Sequence, residues 1–300
     1  TFNMAAMINN TVAFHFVPGC RGPEFPRKMR CLAAGPVIAG IIREAVNCGD
    51  PVRLGVALHA YADSFSHQGF SGILSRVNDI DNVRLYSMDA YLDSKFRGVS
   101  RLNMVLDGRG FDEVADRVIP AYGHAQAFSY PDLSWAEWGY NYDISENFTG
   151  EMETVVIDNR ERFREAFRKI RDILVSFLAE HPHFCGRVGE EIEDFNKILT
   201  REMEAGYHED IWRKLILQRG YLQLGDVAEL NYHPDRWLRD AFSDFDEKDY
   251  SARRVFNARP AANFASSSWY KFYRAVHWYK RLFYRLADEN GLYLPEYGYR

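Results

Sequence analysis

The chain has 300 residues, 47% hydrophobic and 15% aromatic, enough to bury a large core, and its formal net charge of −5 leaves no global electrostatic footprint for nucleic acid. No apolar run approaches the roughly 20 residues that span a bilayer, so no transmembrane segment is expected. The four cysteines, Cys20, Cys31, Cys48 and Cys185, form no CxxC pair. A cytoplasmic, reducing setting is therefore expected, although a Cys20–Cys31 bridge stays open.

The chain opens on Thr1 rather than Met, so an incomplete natural N-terminus is expected. Residues 1–33 show little periodicity: Thr11 to Phe16 reads as a short extended piece, and Pro18-Gly19, Gly22-Pro23 and Phe25-Pro26 mark loops. His15, between Phe14 and Phe16, is the residue of chemical interest there. Residues 35–49 read as an amphipathic helix with Val37, Ile38, Ile41, Ile42 and Val46 on its apolar side. Gly49 ends it, and Asp50 caps the next helix with Pro51 in its first turn.

That next helix organises the chain. Leu54, Val56, Ala57, Leu58, Ala60, Tyr61 and Ala62 make it apolar, and His59, Asp63 and His67 recur every four residues. Each step of four turns the position by only about 40°, so the three share one face. Polar groups on the face of a buried helix need partners, and a metal cluster would supply them. His59 and His67 stand about 12 Å apart along the axis, too far for one ion, which leaves Asp63 between two metals. Imidazole and carboxylate without thiolate favour Zn²⁺, Mn²⁺ or Fe²⁺, and paired ions suit activation of water against a phosphoester. Gly69 and Gly72 stop the helix.

Helical segments are expected at 84–106 and 111–118. An irregular stretch, Pro120 to Trp135, then carries His124 after Gly123 and Asp132 after Pro131, both candidate ligands. A charged amphipathic helix is expected over 150–180, with His181-Pro-His-Phe-Cys185 as surface punctuation after it. Further helices are expected at 187–205, 207–218, 221–230 and 235–243, with His208 and His233 structural. The last expected helix, 266–287, interleaves Lys271, Arg274, Lys280, Arg281 and Arg285 with eight aromatic residues and is read as docking its aromatic face on the core, His277 included.

Strand signals are sparse, so the expected fold is all-α, in a single mainly helical domain over 1–300 with the metal-site portion at about 12–135. G-x-S-x-G, Walker-type, dinucleotide-binding and HExxH motifs are absent.

Three blocks, FHFVPG, HAYADSFSHQGFSG and GHAQAFSYPD, resemble an uncharacterised bacterial family with the same order. More distantly, the pattern resembles the helical superfamily of zinc-dependent phospholipases C and single-strand zinc nucleases. That resemblance implies a cluster of two or three zinc ions, with His59 and Asp63 as the helix pair, Asp63 bridging, and His67, His15 and His124 as further ligands. His67 follows the Asp more closely than in the phospholipases, and the acid expected one turn after His124 falls at Phe128, leaving Asp132 as its substitute. The expected function is a metal-dependent phosphoester hydrolase with Asp63 catalytic, acting on a small phosphoester, a lipid head group or a nucleotide, with no stable nucleic-acid partner. The rivals are a non-catalytic interaction or membrane-associated protein with a structural or vestigial metal site, and an iron oxidative enzyme.

Overall fold

The computed structural model describes residues 3–86, 119–145, 147–184, 205–218, 235–246, 248 and 259–295. Two compact units make up the chain, Thr1–Arg201 with Tyr279–Arg300, and Glu202–Trp278.

The first unit begins with a helical segment, α1, made of Met4–Ala6, a π-helical Met7–Val12 and Ala13–His15. This corrects the expected extended piece at Thr11 to Phe16. Burial explains the helix: Met7, Ile8, Val12 and Ala13 are buried along one side, and Asn3 caps the start by accepting from the Ala5 and Ala6 amides. A short turn, α2 (Phe25–Lys28), follows.

Helix α3 (Pro36–Cys48) buries Val37, Ile38, Ile41, Ile42, Ala45 and Val46, and stops at Gly49 in the left-handed region. Helix α4 (Pro51–Ser66) starts where expected, its Asp50 side chain accepting from the Val52 and Arg53 amides. It packs on α3, on the end of α1 and on α5, the helix described below. Buried residues Leu54, Ala57, Ala60, Tyr61, Ser64 and Phe65 occupy the core side, so the His59–Asp63 edge faces outward rather than into the core as expected.

The all-α expectation is overturned by a three-stranded antiparallel sheet, β1 (Ile80–Leu85), β2 (Glu137–Asp143) and β3 (Met152–Asp158), in the order β1-β2-β3. Arg84 and Leu85, assigned to a helix by the sequence reading, lie in β1, and 152–158 are strand where a helix from 150 was expected. In β2, Trp138, Tyr140 and Tyr142 alternate with Gly139 and Asn141, and Trp138 faces Ile157 while Tyr140 faces Val155 across the strands. These side chains build a core with Phe16, Phe70, Ile80, Ala127 and Ala136. Helix α5 (Asn159–Glu180) follows directly, capped by Asp158.

In the second unit, helices run over Ala205–Gln218 (α6) and Arg236–Ala241 (α7). The final helix, α8 (Ser268–Glu289), contributes to both units, and within the first unit its Tyr279, Leu282 and Phe283 are buried. Tyr279 stacks on Phe14, with centroids 4.8 Å apart, and donates to the Ala13 carbonyl at 2.6 Å. Within the second unit Phe272 and Tyr273 of the same helix are exposed, so the expected aromatic docking holds for its C-terminal half. The helices expected at 187–205 and 221–230, most of those at 84–106 and 111–118, and Cys185 and His233, lie outside the described residues.

No helix among the described residues is long and apolar enough to cross a membrane. Cys20, Cys31 and Cys48 are free thiols, so the Cys20–Cys31 bridge is not formed.

Candidate metal centres

The six expected ligands fall into two groups of three, His15, His59 and Asp63, and His67, His124 and Asp132, each with its ligand atoms within 4.8 Å of one another. Helix α4 supplies His59 and Asp63 one turn apart, and the end of α1 brings His15 alongside. His15 donates from Nδ1 to Asp63 Oδ2 at 2.9 Å, while His59 Nε2 lies 3.7 Å from the same oxygen. This centre is open to solvent: the side chains of His15 and His59 are 46% and 54% exposed.

The second centre is built at the C-terminal end of α4, where the helical hydrogen-bond pattern stops. His67 is the cap residue, and its ring is buried, stacked on Phe16 with centroids 4.6 Å apart. Its Nδ1 donates to the His15 backbone carbonyl at 2.6 Å, and its Nε2 faces Asp132 Oδ1 at 3.1 Å. His124 repeats the pattern, with Nδ1 donating to the Phe128 carbonyl at 2.8 Å and Nε2 lying 3.5 Å from Asp132 Oδ2. In both residues a carbonyl fixes the tautomer and leaves Nε2 for Asp132 or an ion, the arrangement common in histidines that ligate metals.

That geometry has an electrostatic consequence. A carbonyl and a carboxylate only accept, so each histidine meets both only as an imidazolium or with an ion in place of the Nε2 proton. Burial opposes protonation of His67, but the Asp132 bond, the Asp63 charge and the His15 carbonyl outweigh it and hold its pKa above the ordinary value. Burial, then the neighbouring His67, holds His124 below the ordinary value, so its Nε2 lone pair points at a carboxylate. Burial would raise Asp132, yet the His67 bond and the surrounding imidazoles keep it below the usual carboxylate range. Two ligands about 2.05 Å from a tetrahedral zinc stand about 3.3 Å apart. The observed nitrogen–oxygen pairs, 3.1 and 3.5 Å in this centre and 2.9 and 3.7 Å in the other, bracket that spacing.

Asp63 approaches the second centre only at 3.9 Å from His67 Nδ1, the nitrogen already bonded to the His15 carbonyl. It therefore stands with His15 and His59 rather than against the ligating side of His67. The two centres touch through His15, whose ring belongs to one and whose carbonyl orients the other.

Sequence reasoning missed the residues that hold the loops in place. Asn159, fully buried at the start of α5, donates from Nδ2 to the Tyr130 and Leu133 carbonyls at 2.6 and 2.8 Å, on either side of Asp132. Its Oδ1 accepts from Trp138 Nε1 at 3.0 Å. Asn78, 1% exposed, accepts from the Ser71 amide and donates to the Ser71, Ile73 and Ala121 carbonyls, tying the exit of α4 to the segment before His124. Gly123 has φ +55°, and a Cβ there would stand 2.9 Å from the Phe16 ring that stacks on His67. No local pattern marks a polar residue that will be buried by distant carbonyls, so the sequence carries no signal for either asparagine.

His67 also sets a pH test. With a folded pKa above its unfolded value, its contribution to ion-free stability is full below the unfolded pKa and is lost as pH rises through the folded one. An ion on Nε2 requires the deprotonated ring, so ion-linked stability moves the other way. His124, held below its ordinary value, opposes that slope in the ion-free protein, so the test reads the ion-linked increment: in denaturant titrations the stability of zinc-loaded over chelated protein is expected to grow as pH rises through this window.

The fold and the paired groups define a mixed helical and sheet protein carrying, among the described residues, two His/His/Asp clusters with the geometry to hold metal ions. The chain belongs to a family of unknown function (DUF6765), whose profile matches residues 3–286. Neither the curated proteins nor the solved structures give a significant match. The uncharacterised family is thus supported, while the likeness to the zinc phospholipases and nucleases finds no support in these comparisons.

Proposed function

We propose that this protein is a metal-dependent hydrolase of phosphoesters, with zinc, or else manganese, at the two His/His/Asp groups. The observation that carries the reading is the convergence of His67 Nε2 and His124 Nε2 on Asp132 while both Nδ1 atoms are held by backbone carbonyls. A divalent ion in such a site supplies Lewis acidity toward a phosphoryl oxygen and lowers the pKa of a water. The chain's own residues divide the remaining work. His67 and His124, half or more buried and pinned at Nδ1, keep one centre rigid. His15 and His59, exposed, leave the other accessible to a small phosphoester, a lipid head group or a nucleotide. Asp63, beside both exposed imidazoles, orients the attacking water and accepts its proton. Burial pushes the Cys20 thiol up to about 11 and Cys31 higher still, so neither is a ready thiolate to compete with the imidazoles and carboxylates for an ion.

Two imidazoles and one carboxylate in each group also suit iron and oxidative chemistry, which visible absorbance and redox sensitivity would reveal. Elemental analysis of the purified protein beside the His59→Ala/Asp63→Ala variant tests the proposal. Two equivalents of zinc or manganese are expected in the wild type, with the exposed-centre ion lost from the variant. Asp63→Asn is expected to cost activity far more than stability. Absence of metal from the wild type, even after reconstitution, would overturn the reading in favour of a non-catalytic interaction protein.

A further inference from the structure

Two arginines meet at the turn that ends α4, and neither is matched by an acid. Arg162, in the first turn of α5, donates from Nη1 to the Ser66 carbonyl at 3.2 Å, and Arg30, just after α2, donates from Nε to the Gly69 carbonyl at 2.7 Å. Cationic side chains suit the carbonyl end of a helix, which accounts for one bond from each. The remaining N–H groups of both forks are left over, and among the described residues no carboxylate pairs with either guanidinium. Both arginines are half-buried and burial disfavours both charges, so the pair calls for an anion that the protein does not supply.

Tyr140 of β2 is an independent observation. It is 4% exposed and its phenol feels both guanidiniums, yet its hydroxyl makes no hydrogen bond among the described residues. A buried hydroxyl ordinarily finds a partner. Burial holds it above the ordinary phenol range, against the pull of the arginines, so it remains a donor at neutral pH. Gly69, with φ +90°, completes the group. A Cβ there would stand 3.2 Å from the Tyr140 hydroxyl oxygen and 4.0 Å from Arg30 Nη2, so both donors face a position that carries no side chain.

We propose that Arg30, Arg162 and Tyr140 form a binding site for a phosphate dianion, at the backbone of the turn whose His67 side chain reaches Asp132. All three side chains donate, two are cations and no carboxylate stands among them, the set that suits phosphate oxygens; the planar forks of the arginines match those oxygens two at a time. The site contains none of the six candidate metal ligands, and it stands whether or not ions fill the two His/His/Asp groups.

The test is calorimetric titration of the purified protein with inorganic phosphate, before and after chelation, beside Tyr140→Phe and Arg162→Lys. The wild type is expected to show a phosphate site that survives chelation. Tyr140→Phe removes only the unpaired oxygen and is expected to weaken phosphate about tenfold with the melting temperature unchanged; Arg162→Lys keeps the charge, loses the fork and is expected to weaken it at least as much. Phenyl phosphate then identifies the source, and either result supports the site: binding equal to that of inorganic phosphate marks the phosphate group of a larger molecule, and binding of inorganic phosphate alone marks the free anion. Phosphate affinity unchanged in both variants, acetate bound as tightly as phosphate, or no phosphate bound by the purified wild type would each overturn the inference. The zinc or manganese content that tests the hydrolase reading is measured separately, so either idea can fail without the other.

Discussion

His67→Ala is expected to empty both metal centres, whereas His59→Ala empties one. The difference follows from what each side chain holds. His59 offers a single exposed nitrogen near Asp63. His67 directs Nε2 at Asp132, grips the His15 carbonyl with Nδ1 and stacks on Phe16, so alanine removes a ligand from the second centre and releases the backbone that positions His15 in the first. Phosphodiester hydrolysis, measured with an aryl phosphodiester, is expected to fall by about 10³ or more, the scale on which electrostatic stabilisation of a transition state is lost. Chelation of the wild type gives the matching stability result: an ion at a thousandfold excess over its dissociation constant contributes about 4 kcal/mol, or roughly 10 °C in melting temperature for a chain of this size. Loss of one equivalent in both variants would show the centres to be independent.

Asn159→Leu is expected to destabilise the first unit by about 4 kcal/mol and to weaken metal binding in the molecules that remain folded. The substitution keeps the branched shape, adds some volume and removes every side-chain hydrogen bond, while the backbone bond from the residue 159 amide to the Ala136 carbonyl stays. The Trp138 indole N–H then loses its partner, and the Tyr130 and Leu133 carbonyls each keep only a backbone amide, from Leu133 and Ala136, around a fully buried site. The orphaned N–H costs about 1–3 kcal/mol and each lost bond to a carbonyl about 1 kcal/mol, against a total stability of about 5–15 kcal/mol for a typical domain. The loop they frame carries Asp132, so its release is expected to lower metal affinity by about 10- to 100-fold, as loss of supporting partners does elsewhere. Denaturant unfolding and a competitive zinc indicator separate the two effects. Asn159→Asp retains an acceptor for Trp138 but sets a carboxylate oxygen against the Tyr130 and Leu133 carbonyls; it is expected to lose metal affinity at least to a similar degree.

What was legible in the sequence is what local rules govern. Asp50, Pro51 and the apolar run to Tyr61 mark the start and body of α4, because capping and helical periodicity act within a turn or two of chain. The repeat of His59, Asp63 and His67 at four-residue spacing marked the candidate ligands, and the distance between the two histidines already separated them into different groups, as they stand here. The sheet escaped because its evidence was divided: Trp138, Tyr140 and Tyr142 alternate clearly, but β3 merges without a break into the charged helix Asn159–Glu180. An alternating segment becomes a strand only when a partner is supplied, and the partners of β2 are the separate segments Ile80–Leu85 and Met152–Asp158.

The sequence by itself determined the candidate ligand types, the helix that carries two of them with a third at its cap, and the capping that begins it. Beyond the separation of His59 from His67, only the tertiary structure decided which candidate ligand joins which group. It gave Asp132 to His67 and His124, turned His59 and Asp63 outward, and set Asn159 and Asn78 beneath the loops. The physical reason is range: capping and helical spacing act between near neighbours, whereas a buried hydrogen bond such as that from Asn159 to Tyr130, or from His67 to His15, exists only after packing has excluded water and brought distant segments together.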